Sequence, residues 1–170
     1  MSRATEIASQ IEPHIPALRR YAFALTHDHS FCDDLVQDTL ERALSRWSLR
    51  KADGDPRAWM FSILHNLFIS GVRARRRRGG HESLEDRHSS EAGGQEWAIV
   101  GRDIQKSLQS LPDDQRAVIL LVGVEGMSYE TAGRVLGIPL GTVMSRLSRG
   151  RDHMRRLMEG ERPSFLKRVK

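Results

Sequence analysis

The stretch "MSYETAGRVLGIPLGTVMSRLSRGRDHMRRLM", Met127 to Met158, decides how the chain is read. Ser128 stands where a helix N-cap belongs. Leu136-Gly137-Ile138 reads as a tight turn, and Pro139 suits the opening of a second helix. Two helices joined by a short turn containing glycine form the helix-turn-helix pattern, whose second helix is free to enter a major groove. On that helix Val143 and Leu147 are spaced i, i+4 and face a core. The opposite side carries Gly141, Thr142, Ser145, Ser148 and Arg149, with Met144 and Arg146 on the flanks. Hydroxyls and arginines suit base edges and phosphates. A merely solvated basic face explains the arginines, but not the glycine turn, the proline start and the small-residue surface together.

Upstream, "SLPDDQRAVILLVGVEG" places Pro112 and two aspartates at a helix start, where the positive end of the dipole favours them. A helix is predicted before it, over Trp97–Leu108. Further upstream the spacing is also helical. Ile11, Ile15, Leu18, Ala22 and Leu25 build one buried stripe, read as a single helix. Val36, Leu40, Ala43 and Trp47 repeat it, with Asp28 or Ser30 as cap. A third helix begins near Pro56, carries Trp59, Met60, Ile63, Leu67, Phe68 and Val72, and ends in "RARRRR". Between 79 and 96, "GGHESLEDRHSSEAGGQE" has one leucine and two Gly-Gly pairs, too little apolar surface to offset ordering entropy. The sequence therefore predicts an all-α protein of two small helical domains, 10–78 and 97–160. A flexible acidic linker, 79–96, joins them, and a basic tail, 161–170, follows.

Charge follows the same division. Among the 170 residues, 1–78 carry 13 basic against 9 acidic side chains, 79–96 carry 1 against 5, and 97–170 carry 13 against 8. The total of +5 suits an acidic partner such as nucleic acid. Cys32 is the lone cysteine, which excludes an internal disulfide and a cysteine zinc site, and its apolar setting predicts burial. His65, His81, His88 and His153 are too scattered for a metal set, and no phosphate loop or nucleophile–base pair stands out. Neither metal nor cofactor is expected, nor is an enzyme. The start lacks the apolar core of a signal peptide, and no run approaches a membrane span of ~20 residues. The expectation is a cytoplasmic protein without membrane insertion.

Taken together, these segments resemble the extracytoplasmic-function (ECF) group of bacterial RNA polymerase sigma factors. "LPDDQRAVILLVGVEGMSYETAGRVLGIPLGTVMSRLSRGR" is similar to region 4, with its LP-x-x-QR, G-x-SY and LGIP-x-GTV-x-SR motifs. "DDLVQDTLERAL" and "AWMFSILHNLFISGVRARRRR" resemble region 2. Ser70, Met144 and the Ala132-Gly133 pair depart from the family's usual residues.

The resemblance implies roles. The face made by Asp34, Gln37, Asp38 and Glu41 would dock on the beta-prime clamp helices of core RNA polymerase, with Leu35 and Gln37 adding contact at its centre. Asn66 would lie at the pocket for a flipped base of the −10 element, while Arg73, Arg75, Arg76, Arg77 and Arg78 grip phosphates. Thr142, Met144, Ser145, Arg146, Ser148 and Arg149 would read −35 DNA. The family further implies contact with the polymerase beta flap, control by an anti-sigma factor in a stress or environmental response, and a monomer when free. The linker composition predicts that the domains move independently. An autonomous helix-turn-helix regulator is the alternative, disfavoured because the N-terminal half carries its own polymerase-type motif.

Overall fold

The structure is a computed structural model that describes residues 3–79 and 95–160, with side chains over 4–79 and 101–160. The expected tail 161–170 and nearly all of the expected linker lie outside the described residues. Those described are helical, with no strand among them.

The first unit holds α1 (Arg3–Ile11), α2 (Ile15–Thr26), α3 (His29–Ser45) and α4 (Pro56–Arg77). The single helix expected through Ile11–Leu25 is corrected to two. Pro13 lies in a 3-10 turn, Glu12–His14, and Pro16 in the first turn of α2, where a missing N–H costs nothing. α2 ends on His27, at φ 50°, whose N–H donates to the Phe23 carbonyl. Asp28 then caps α3, accepting from the Phe31 N–H at 3.1 Å. After α3, Trp47 lies in a 3-10 turn and meets Trp59 edge-on at 5.9 Å. Arg50 lies over the Trp47 ring and donates to the Gly54 carbonyl at 2.7 Å, tying down the loop before α4. Asp55 caps α4, with Pro56 at its first position.

Leu18, Tyr21, Leu35, Val36, Met60, Phe61, Leu64 and Phe68 fill the core of this unit. Each such side chain contributes about 1.5–3 kcal/mol relative to exposure. The buried face of α4 is broader than its sequence stripe. Phe61, Leu64 and His65 are buried, whereas Trp59, Ile63, Leu67 and Val72 pack at the margin. The reason is that α4 packs on α2 and α3 and also on α7 of the second unit.

That second unit comprises α5 (Gln95–Ser110), α6 (Asp113–Ile119), α7 (Tyr129–Leu136) and α8 (Leu140–Gly160). A π-helical turn, Leu120–Val124, continues α6 and was not visible in the sequence. α6 opens after Pro112, as predicted. Ala117, Val118, Leu121, Ala132, Val135, Val143 and Leu147 are buried. The two units pack against each other, α2 on α5 and α6, and α4 on α7. This differs from the independent movement expected from linker composition, which carries no information about the surfaces it joins.

Candidate nucleic-acid interface

The helix-turn-helix is built as its local signals dictate. The Ser128 hydroxyl accepts from the Thr131 N–H at 3.1 Å, capping α7. Gly137, at φ 66°, ends α7 in the left-handed conformation that a side chain disfavours. The Ile138 N–H donates to the Gly133 carbonyl across the turn. α8 buries Val143, Leu147 and Gly150, which turns Met144, Ser145, Ser148 and Arg149 outward. Arg149 folds back on Ser145, donating from Nη2 to the hydroxyl at 3.2 Å and from Nε to the carbonyl at 3.3 Å. The pair thus presents one guanidinium and one hydroxyl side by side. Thr142 is half-buried. Arg146 is also half-buried and ion-paired with Asp114 at 3.3 Å, so its charge is partly spent within the unit.

In the first unit, Asp34, Gln37, Asp38 and Glu41 are all exposed along α3, and Gln37 donates to Glu41 at 3.1 Å. Leu35 is the exception. It is buried among the core residues, so the centre of that face is not Leu35. One residue of helix advances the side chain by about 100°, which puts Leu35 on the stripe of Cys32, Thr39 and Val36. Asn66 is exposed on α4, and Arg73 and Arg75 to Arg78 are exposed along its end. Arg75 is already engaged, with its guanidinium 3.8 Å over the Phe31 ring and 3.6 Å from Asp28.

Buried polar groups lie beneath these surfaces. His65 meets the Tyr21 hydroxyl at 3.2 Å through Nδ1. Burial, helped by the positive charge of Arg146, lowers its pKa to about 4. Tyr21 is held well above its ordinary range by burial and then by the charge of Glu125. Burial likewise raises the Cys32 thiol, whose expected burial the structure bears out. Sequence reasoning missed Arg20, Arg57, Arg116 and Glu125. Of these only Arg116 carried a signal, as the last residue of LP-x-x-QR.

These features define a two-unit helical protein with a helix-turn-helix whose second helix has a free outer face. Residues 11–65 match the sigma2 domain of PhyR, and residues 101–154 match sigma-70 region 4. The chain is 37% identical over 150 residues to ECF RNA polymerase sigma factor EcfG of Rhodopseudomonas palustris (strain TIE-1), covering 85% of this chain and 80% of that one. The fold resembles the sigma factor RpoE of Bartonella quintana, solved with the anti-sigma factor NepR. That likeness has TM-score 0.81 and 33% identity, covering 92% of this chain and 99% of that one. It also resembles CnrH, solved with the cytosolic domain of CnrY, at TM-score 0.69 and 26% identity over 93% and 96% of the two chains. The chain belongs to the ECF sigma factors of bacterial RNA polymerase. Sigma factors are transcription initiation factors, not enzymes, and as a class they bind RNA polymerase and promoter DNA. No helix among the described residues is long and apolar enough to cross a membrane.

Proposed function

We propose that the two units divide initiation between them, in the cytoplasm and from a monomer. Residues 10–78 dock on the beta-prime clamp helices through Asp34, Gln37, Asp38 and Glu41. They hold the opened −10 element at Asn66 with the arginines at the end of α4. Residues 97–160 contact the beta flap and read the −35 element through Thr142, Met144, Ser145, Arg146, Ser148 and Arg149. An anti-sigma factor holds the chain inactive until a stress or environmental signal. NepR on the Bartonella relative and CnrY on CnrH support that control.

The observation that carries this reading is one chain presenting both an exposed acidic face on α3 and an outward Ser145–Arg149 pair on α8. Complementary charge at the first would steer docking and fix register. The test is promoter-dependent transcription with purified core polymerase. Wild type is expected to direct initiation that core enzyme alone does not. Asp34→Lys/Asp38→Lys is expected to lower co-purification with core enzyme at least about tenfold, some 1.4 kcal/mol, without loss of helix. Undiminished binding of the folded double variant removes the clamp assignment.

A further inference from the structure

Glu125 follows the π-helical turn, and its side chain is 1% exposed. Both carboxylate oxygens are taken by the other unit. Arg20 of α2 donates from Nε to Oε1 and from Nη2 to Oε2, each at 2.9 Å. Arg57, in the first turn of α4, donates from Nη2 to Oε2 at 2.8 Å and to the Glu125 carbonyl at 2.9 Å. Two further bonds cross nearby. Arg116 donates to the Leu25 carbonyl at 3.1 Å, and Gln109 Nε2 meets His27 Nδ1 at 3.2 Å.

An ion cluster of this kind is directional, yet its net stabilisation is small, because separation returns each charge to water. It thus fixes one orientation of the two units, beside the apolar packing of α4 on α7. The closed packing leaves Asp34, Asp38, Asn66, Ser145 and Arg149 exposed. What it fixes is the distance between the surfaces. Promoter elements centred at −10 and −35 lie roughly 85 Å apart along straight DNA, at about 3.4 Å per base pair. α4 and α7 are in direct contact, and α8, with 21 residues, is only about 32 Å long.

We propose that Arg20, Glu125 and Arg57 form a releasable clasp that keeps the free chain closed, so that both promoter elements are engaged only after it opens. This rests on the sigma-factor reading above. The test is small-angle scattering of the full chain at low salt, with circular dichroism as a check on helix content. Wild type is expected near the compact value for its length, about 16 Å in radius of gyration. Glu125→Gln and Arg20→Ala/Arg57→Ala are each expected to exceed it by at least about 4 Å, an estimate for two separated compact units on the same size scale. The arginine pair leaves the sequence of the second unit intact, so its expansion is not unfolding of that unit. A wild type already extended, or folded variants as compact as wild type, overturns the clasp. Failure of wild type to support transcription with core polymerase would instead overturn the sigma reading and leave the scattering result standing.

Discussion

Arg116 and Glu125 stand near opposite ends of the same helical stretch, and both hold a charge out of water, but they are satisfied in opposite ways. Arg116 has five N–H donors, and all five are used. They go to the Leu108, Gln109 and Leu111 carbonyls, the Leu25 carbonyl and Asp113. Three of those carbonyls lie at or just past the C-terminal end of α5, where a helix leaves acceptors without partners. Four of the five bonds stay within the second unit, so Arg116 is chiefly a staple of its own unit, with one bond to Leu25 across the interface. Glu125 has no side-chain partner in its own unit among the described residues, and both its arginines come from the other one. One buried charge mainly holds a unit together, while the side-chain partners of the other all lie in the facing unit. Where a buried ion finds its partners decides whether losing it unfolds a domain or opens an interface.

The largest effect expected is at the staple. Arg116→Ala leaves carbonyls of the α5–α6 corner unsatisfied and should cost about 3–5 kcal/mol, the usual loss when one partner of a buried charged network is removed. For a chain of this size that lowers Tm by roughly 10 °C. Arg116→Lys offers three donors in place of the five and should recover little. A thermal melt of Arg116→Ala within about 1 kcal/mol of wild type would show that the network is ornamental.

A second effect should appear with acid. His65 lies on α4 beneath the packed second unit, against Tyr21 of α2 and near Arg146 of α8 and Asp113 of α6. Its folded pKa, about 4, is below the ordinary value of 6.5. The unfolded chain therefore takes up the proton first as pH falls. Stability from the neutral ring is complete above pH 6.5 and is lost progressively down to pH 4, whereas an Asp or Glu with a depressed pKa loses its share lower. Between pH 6.5 and 5 the loss should reach ~2 kcal/mol. His65→Gln should flatten the denaturant-midpoint profile in that window, and an unchanged slope would mean the ring titrates freely.

How far these features were legible follows from their range in sequence. Ser128, Gly137, Pro139, Asp28 and Pro56 act on backbone groups within a few residues, so the helix ends they set were readable. The outward placement of Met144, Ser145, Ser148 and Arg149 on α8 was readable from the spacing of Val143 and Leu147. Leu35 was misplaced because a polar face was read without following the apolar stripe that runs beside it through Cys32 and Thr39. The split between α1 and α2 was missed because the stripe keeps its spacing across Pro13. Glu125 was invisible. Its partners are 105 and 68 residues away, and no local pattern marks a carboxylate that will be buried by a neighbour.

On the reading side, Arg149→Ala should cost about 1–3 kcal/mol of discrimination between promoter and scrambled DNA, the worth of a bidentate arginine–guanine contact. Arg155 is paired with Asp152 at 3.1 Å. Its loss should weaken both DNAs alike and lower the salt slope by roughly one. Binding of the full chain and of Glu125→Gln across a salt series measures both. Equal loss of affinity for the two DNAs on Arg149→Ala would make α8 a grip on the backbone and nothing more.

The smallest effects sharpen the comparison most, because they come from two glycines with the same positive φ. Gly126 and Gly137 both sit at φ 66°, and a Cβ on either would meet nothing within 4 Å. Any cost of alanine is therefore backbone strain, about 1–2 kcal/mol at each. What surrounds them differs. Gly137 joins α7 to α8 inside the helix-turn-helix, so relief of its strain would shift α8 within its own unit. Gly126 follows Glu125 directly, and relief there would move the carboxylate that Arg20 and Arg57 hold. Both alanine variants should lose similar stability in a denaturant melt, with asparagine milder at either position. Only Gly126→Ala should raise the radius of gyration, since the released charges are rehydrated as the units part. If Gly137→Ala expanded the chain as much, opening would follow from general loosening of the second unit, and Glu125 would not be what holds the two halves together.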